Sequence, residues 1–178
     1  MQTKKKTNIA GLLLTLAVPG LCLFVLLPAM LSGNALATMN TIANLPDEVV
    51  VYYNGQSVSY TPQDEEYDLL VDAAYDVIVD ETGIHEMGWA DDRFNQARSE
   101  GIALEMFYSR PVKLPGNRVD IGDVYRLFIP LEVFGFNDAV VFRGGTDSYW
   151  GAPLRVENLD ILREMVDSII QTNVTVGS

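Results

Sequence analysis

The chain has 178 residues and a formal net charge of −12 at pH 7, and its charges are unevenly placed. All 24 acidic residues follow Pro46. Only nine of the 12 basic residues do so, because the other three are Lys4, Lys5 and Lys6. So acidic a domain is repelled by nucleic acid and by anionic lipid, which excludes nucleic-acid binding as its function. The only cysteine, Cys22, precedes this domain, which therefore has neither a disulfide nor thiol chemistry.

An uncharged segment runs from Thr7 to Pro46, and its stretch Ile9–Leu31 is almost wholly apolar. A run of about 20 apolar residues crosses a bilayer as a helix, in which every backbone polar group is bonded internally. The lysines before the run favour a cytoplasmic N-terminus. Residues 1–37 are therefore predicted to be a signal-anchor of a single-pass membrane protein, with the C-terminal domain extracytoplasmic.

Cleavage of this segment is the main alternative. A cleavable signal peptide has a basic start, an apolar region of about 7–15 residues and a small-residue A-x-A site. The stretch Ala35-Leu36-Ala37 supplies such a site, and cleavage after Ala37 would release a secreted domain. The apolar run exceeds the usual length, which favours the uncleaved anchor. Lipid modification of Cys22 is disfavoured, because the preceding Leu21 is bulky.

Residues 38–47 are interpreted as a linker, the extracytoplasmic domain is predicted at 48–172, and residues 173–178 are predicted to be a flexible tail. The first element of the domain is a predicted β-hairpin over residues 49–60. Two β-rich runs flank Asn54-Gly55. This dipeptide accepts the positive φ that both central positions of a type I′ turn require.

A helix is predicted over residues 62–81. Thr61 is a typical capping residue, and Pro62 fits the first turn, where it loses no hydrogen bond. Gly83 ends the pattern. Apolar residues at helical spacing indicate one buried face. They are Tyr67, Leu70, Val71, Ala74, Val77 and Ile78.

The opposite face of this helix carries a carboxylate at every fourth position. These residues are Asp64, Asp68, Asp72, Asp76 and Asp80. Like charges at this spacing repel, each pair costing about 0.2–0.5 kcal/mol. The pattern is typical of a solvated face. The functional interpretations are a docking stripe for a basic protein partner and a weak site for a divalent cation, although a single helix face cannot surround a metal ion.

A short second helix is predicted over residues 90–101 and a strand over 102–108. Residues 109–119 are predicted to form a loop, because two prolines and a glycine interrupt them. This loop carries a local basic cluster that suits a carboxylate, a phosphate or an anionic sugar, or that pairs with the acidic helices. The cluster is Arg110, Lys113 and Arg118.

Further strands are predicted at 124–129, 139–143 and 148–150, with Pro130 marking an edge or a bulge. A final helix begins near Asn158 and ends near residue 172, with clean helical spacing of its apolar residues. Short connections favour antiparallel pairing. The predicted fold class is α+β: a two-layer domain of mostly antiparallel sheet, with two main amphipathic helices on one face.

No catalytic residue, metal ligand or cofactor is predicted. His85 is the only histidine and the domain has no cysteine, so the ligands of a zinc site are lacking. Neither a nucleophile elbow nor a phosphate-binding glycine loop occurs. The aromatic residues Trp89, Tyr149 and Trp150 are expected in the core, with Trp150 as a candidate for partner binding.

These observations favour a membrane-anchored extracytoplasmic binding or accessory protein, such as a sensor or an assembly factor of the cell envelope. Its expected partner is a protein at or near the membrane. Two alternatives remain open: an exported hydrolase that uses carboxylates, and a single-pass subunit of a larger membrane complex.

Overall fold

The computed structural model of the chain describes residues 45–114 and 123–176, with side chains up to Thr172. Its strands are β1 (Glu48–Tyr53), β2 (Gln56–Tyr60), β3 (Glu81–Ile84), β4 (Ile102–Val112), β5 (Val124–Glu132), β6 (Val140–Gly144) and β7 (Leu154–Val156). Its helices are α1 (Tyr67–Val79), α2 (Asp91–Glu100) and α3 (Asp160–Val176). The predicted signal-anchor, most of the linker and Arg118 lie outside the described residues. No helix within the described ranges is long and apolar enough to cross a membrane.

The seven strands form one sheet in the order β2-β1-β4-β5-β6-β7-β3, and every neighbouring pair is antiparallel. The predicted α+β class and antiparallel sheet are therefore confirmed. Sequence analysis missed β3 and β7. They have four and three residues, which is too short for an alternating pattern to stand out.

The predicted hairpin is confirmed as β1 and β2. Asn54 and Gly55 have φ of 46° and 78°, the left-handed conformation that a type I′ turn requires at both positions. The register pairs Val49 with Tyr60 and Tyr53 with Gln56. The two-residue turn thus fixes which side chains of both strands face the helices.

Helix α1 begins five residues later than predicted for 62–81, because its leading segment folds as turns. The Asp64 carboxylate accepts hydrogen bonds from the backbone N–H of Thr61 at 2.7 Å and from its hydroxyl at 2.9 Å. Thr61 therefore donates to Asp64 instead of capping the helix. As a result, Asp64 precedes α1. At the other end, Asp80 is the C-terminal capping residue, directly after Val79.

The two long helices pack on the same face of the sheet, as predicted. Their buried residues, including Leu70 of α1 and Leu162 of α3, contact strand residues such as Leu104 and Leu127 in one core. Helix α2 buries Phe94 and Ala97 in a second cluster with other residues of the sheet. Neighbouring strand residues alternate between the two clusters, so α2 covers the opposite face. The predicted two-layer arrangement is therefore incomplete, because it lacks the layer that α2 forms on the second face of the sheet.

Strands β4 and β5 are longer than predicted, so Arg110 lies in β4 and not in a loop. Pro130 marks a bulge, as predicted, because the β4–β5 register shifts between Ile102 and Ala103. It does not mark an edge, since β5 lies between β4 and β6. The predicted strand at 148–150 is wrong. Only an isolated bridge joins Tyr149 to Gly144.

Candidate functional site

The outward side of α1 carries a row of exposed carboxylates, here called the acidic face. The acidic face is Asp68, Asp72, Asp76 and Asp80. Helical spacing places them on one side of α1, opposite the buried stripe. Within the described ranges, no lysine, arginine or histidine lies within ion-pair distance of these carboxylates. Four neighbouring negative charges are therefore left for solvent or for a partner.

Asp76 occupies the middle of the acidic face and feels its neighbours. Partial burial raises the pKa of Asp76, and the charges of Asp72 and Asp80 raise it further. Asp64, predicted as part of the same row, behaves in the opposite way. The hydrogen bonds from Thr61 lower the pKa of Asp64, which therefore supports the turn before α1 and is not part of the acidic face.

Replacing Asp76 by asparagine is expected to raise the free energy of unfolding by about 0.2–0.5 kcal/mol at pH 7, since the carboxylate is largely solvated and repelled by like charges. An acid whose pKa is raised by folding weakens the fold as the pH rises above the unfolded value of 3.8, because the unfolded chain releases its proton first. The gain should vanish at about pH 3, where both states are protonated. Urea unfolding at both pH values measures it.

Asp64→Asn is the matched control for this prediction, with the opposite sign. A pKa lowered by folding stabilises above the unfolded value of 3.8, and the contribution is lost as the pH falls through the folded value. This variant should therefore be less stable than the parent at pH 7. Equal shifts in the same direction for both variants would contradict the assignment of the acidic face.

The predicted basic cluster is only partly described. Arg110 and Lys113 are exposed near the end of β4, whereas Arg118 lies outside the described residues. Trp150 is half-buried against the main core, and its backbone N–H donates to the carbonyl of Arg143 at 2.8 Å. Trp89 and Tyr149 join the second cluster, where the Trp89 ring centroid lies 4.8 Å from that of Phe142. All three aromatic side chains are partly buried and pack against one of the two cores.

Sequence analysis missed a buried ion pair between α2 and β4. Arg98 donates from Nε to Glu105 Oε2 and from Nη2 to Oε1, both at 3.0 Å. The hydroxyl of Tyr149 also donates to Glu105 Oε1. A carboxylate in an apolar strand, with an arginine seven residues earlier, was the signal available. Because Glu105 is 1% exposed, its carboxylate depends on these donors in place of water.

The pKa values of three residues around Glu105, namely Arg98, Tyr52 and Tyr149, are raised. Burial opposes the charge of Arg98, but the hydrogen bonds and charge of Glu105 outweigh it, so the pKa of Arg98 is raised. Burial and then Glu105 raise the pKa of Tyr52 to about 12, and they raise the pKa of Tyr149 well above its usual range. Arg98, Tyr52 and Tyr149 therefore keep their protons near neutral pH, and the two hydrogen bonds from Arg98 to Glu105 fasten α2 to the sheet.

Arginine stacking extends this cluster. The Arg98 guanidinium lies 5.2 Å from the ring centroid of Phe128 and 5.7 Å from that of Tyr52. Arg126 lies 5.7 Å from the ring of Phe107 and 5.8 Å from that of Tyr149. Such contacts are worth about 0.5–2 kcal/mol each when partly desolvated. They pack the guanidinium groups of Arg98 and Arg126 against aromatic rings on this side of the sheet.

His85 makes no hydrogen bond to a serine hydroxyl among the residues that the structure describes. Its Nε2 lies 3.5 Å from the Asp138 carboxylate, and its Nδ1 is buried without a hydrogen-bond partner. A serine–histidine pair is therefore not assembled within the described ranges. Nor does any group of three or more histidine, cysteine, aspartate or glutamate residues there form a metal site.

A cleft of about 370 Å³ lies where the β5–β6 turn meets the start of α3. Four carboxylates line it, namely Glu132, Asp138, Glu157 and Asp160. Arg163 on its wall donates to the Leu131 carbonyl and lies 3.6 Å from Asp160. Sequence analysis missed the cleft because its acids come from separate segments.

Comparisons with protein-family models, with curated proteins and with solved structures found no match to this chain.

Proposed function

We propose that this chain is a membrane-anchored extracytoplasmic binding protein whose acidic face docks a basic protein partner at or near the membrane. The observation that carries the proposal is the row of four exposed carboxylates on α1 with no basic side chain of the described residues beside them. Like charges on a helix cost stability, and a cationic partner would relieve that repulsion.

The N-terminal composition supports the membrane part of the proposal. An apolar run of anchor length follows three lysines, and every acidic residue follows it. An anchored domain meets partners in the same membrane at raised effective concentration, which makes weak electrostatic contacts productive. A sensor or an assembly factor of the cell envelope works by contacts of this kind.

The carboxylate cleft favours a second candidate, an exported hydrolase. Two-acid hydrolysis needs carboxyl groups that converge on a concave surface, and four carboxylates line this cleft. Two of the four already have a partner, because Asp138 lies 3.5 Å from His85 Nε2 and Asp160 lies 3.6 Å from Arg163. The carboxylates of the acidic face have no such partner among the described residues. Binding through the acidic face is therefore the better supported function.

A fluorescent oligolysine peptide tests the docking face on the full chain in detergent micelles. The triple variant Asp68→Asn, Asp72→Asn, Asp76→Asn is expected to bind about tenfold more weakly at low salt, from about 0.5 kcal/mol for each lost pair. Binding by the parent should weaken as salt screens the exposed charges. Fluorescence anisotropy measures both.

A charge-matched control separates the acidic face from net charge. The triple variant Asp138→Asn, Glu157→Gln, Asp160→Asn removes the same number of charges from the cleft and should keep most of the affinity. Equal losses for both variants would leave net charge as the cause, and a larger loss for the cleft variant would place docking there. In native membranes, a partner should be lost only with the α1 variant as bait.

A further inference from the structure

Among the described residues, strand β2 ends the sheet, and no strand pairs with the outer side of its backbone. Asn54 N–H donates to the carbonyl of Gly101, the residue before β4. In this register the backbone groups of the even-numbered residues of β1 point to β4, and those of the odd-numbered residues point to β2. Val51 therefore bonds to its partner Val58. The N–H and C=O groups of Ser57 and Ser59 consequently point away from the sheet, toward solvent.

The two edges of the sheet are treated differently by the sequence. Edge strands are commonly protected by charge, proline, a bulge or unusual shortness. Strand β3 has Glu81 and a register shift before Gly83. Strand β2 has no charge, no proline and no register shift, and Val58 in its middle is 44% exposed. It is therefore the edge that can accept another strand.

A cavity of about 220 Å³ lies beside this open edge, on the α2 side of the sheet. Its lining residues are Tyr52, Gly55, Gln56, Ser57, Arg98 and Ser99. Strand addition takes affinity from main-chain hydrogen bonds and specificity from pockets for alternate side chains. An added strand would set one side chain above the ring of Tyr52, whose position is held by the stacked Arg98.

The charges beside β2 favour an added strand of one particular charge pattern. Asp64, Glu65 and Glu66 follow its C-terminal end, and the first two are exposed. An antiparallel neighbour, the pattern of the whole sheet, places its N-terminal end beside these acids. Basic residues are favoured there. A second copy of this chain would place its own uncharged Asn54-Gly55 turn beside these acids and would supply no basic residue there. Two copies of so acidic a domain also repel each other, so a second copy is disfavoured.

We propose that the open edge of β2 receives an extended segment of another protein as an antiparallel strand, uncharged where it pairs and basic at its N-terminal end. One of its side chains occupies the cavity beside Tyr52. The main-chain contacts of Ser57 and Ser59 supply affinity, and the cavity and the flanking acids supply selectivity. This surface is separate from the acidic face of α1, so either proposal can fail without the other.

A phage-displayed library of random peptides, selected on the full chain in detergent micelles, tests the proposal. Enriched peptides should alternate β-branched and polar residues after a basic N-terminal end. Ser59→Pro removes the outward N–H without touching the β1 ladder, and about tenfold weaker peptide binding is expected. Ser59→Ala keeps that N–H and should bind like the parent.

Hydrogen exchange on the unaltered chain provides a second readout that does not depend on the folding of a variant. The amides of Ser57 and Ser59 should exchange quickly alone and at least tenfold more slowly with the selected peptide. The proposal is overturned if no peptide is enriched, if the amides remain unprotected, or if a folded Ser59→Pro variant binds normally. Protection that rises with protein concentration alone would assign the edge to a second copy.

Discussion

Replacing Arg98 by methionine is expected to lower the free energy of unfolding by about 3 kcal/mol, because a buried carboxylate loses its guanidinium partner. The side chain of Glu105 is 2% exposed, so water cannot replace the two hydrogen bonds from Arg98. Tyr149 remains as a donor but carries no positive charge. Methionine retains the apolar stem of arginine, so packing is largely kept. Urea unfolding measures the change.

Arg93→Met is the control on the same helix. Arg93 donates to Gln96 and to the carbonyl of Phe134 and is half-exposed, so a loss below about 1 kcal/mol is expected. Adding Glu105→Gln to Arg98→Met should recover part of the stability, because the unpaired buried charge is then removed. Equal losses at Arg93 and Arg98, without recovery in the double variant, would show that Glu105 does not fasten α2.

Replacing Phe142 by alanine is expected to cost about 3–5 kcal/mol, the usual range for a fully buried phenylalanine. Its ring lies 5.0 Å from that of Phe94 and 4.8 Å from that of Trp89, and the side chain is fully buried on the α2 side of the sheet. The cavity would open where three elements meet and could not collapse easily. Thermal and urea unfolding both report the loss.

Phe134→Ala is the matched control, because it removes the same side chain from an exposed turn. Phe134 is 88% exposed, so its replacement should change stability by less than about 0.5 kcal/mol. If Phe142→Ala is as mild as Phe134→Ala, the second cluster is not part of the cooperative core, and α2 packs only loosely on the sheet. Loss of Phe142 should also weaken binding at the β2 edge, since α2 forms one wall of that cavity.

Local chemistry determined the elements that sequence analysis predicted well. Asn54-Gly55 specifies a type I′ turn by its tolerance of positive φ, so the first hairpin was readable from two residues. The apolar stripes of α1 and α3 reflect burial on one side at helical spacing, which predicts both helices and their shared face. The carboxylates of the acidic face follow from the same periodicity.

The start of α1 shows where local rules compete. Thr61 and Pro62 both favour the first turn of a helix. The Asp64 carboxylate instead accepts the Thr61 N–H, and the helix begins at Tyr67. Both outcomes are compatible with the sequence, because aspartate bonds equally well to turns and to helix ends.

The sequence by itself determined the α+β class, the first hairpin, the two long helices and the placement of the acidic face. Only the tertiary structure decided the strand order, the placement of α2 on the opposite face of the sheet, the Arg98–Glu105 pair, the carboxylate cleft and which strand ends the sheet. The physical reason is the separation along the chain of the residues that interact. Turns and amphipathic faces depend on residues a few positions apart. Ion pairs, clefts and sheet edges depend on which distant segments meet, and burial of the whole core decides that.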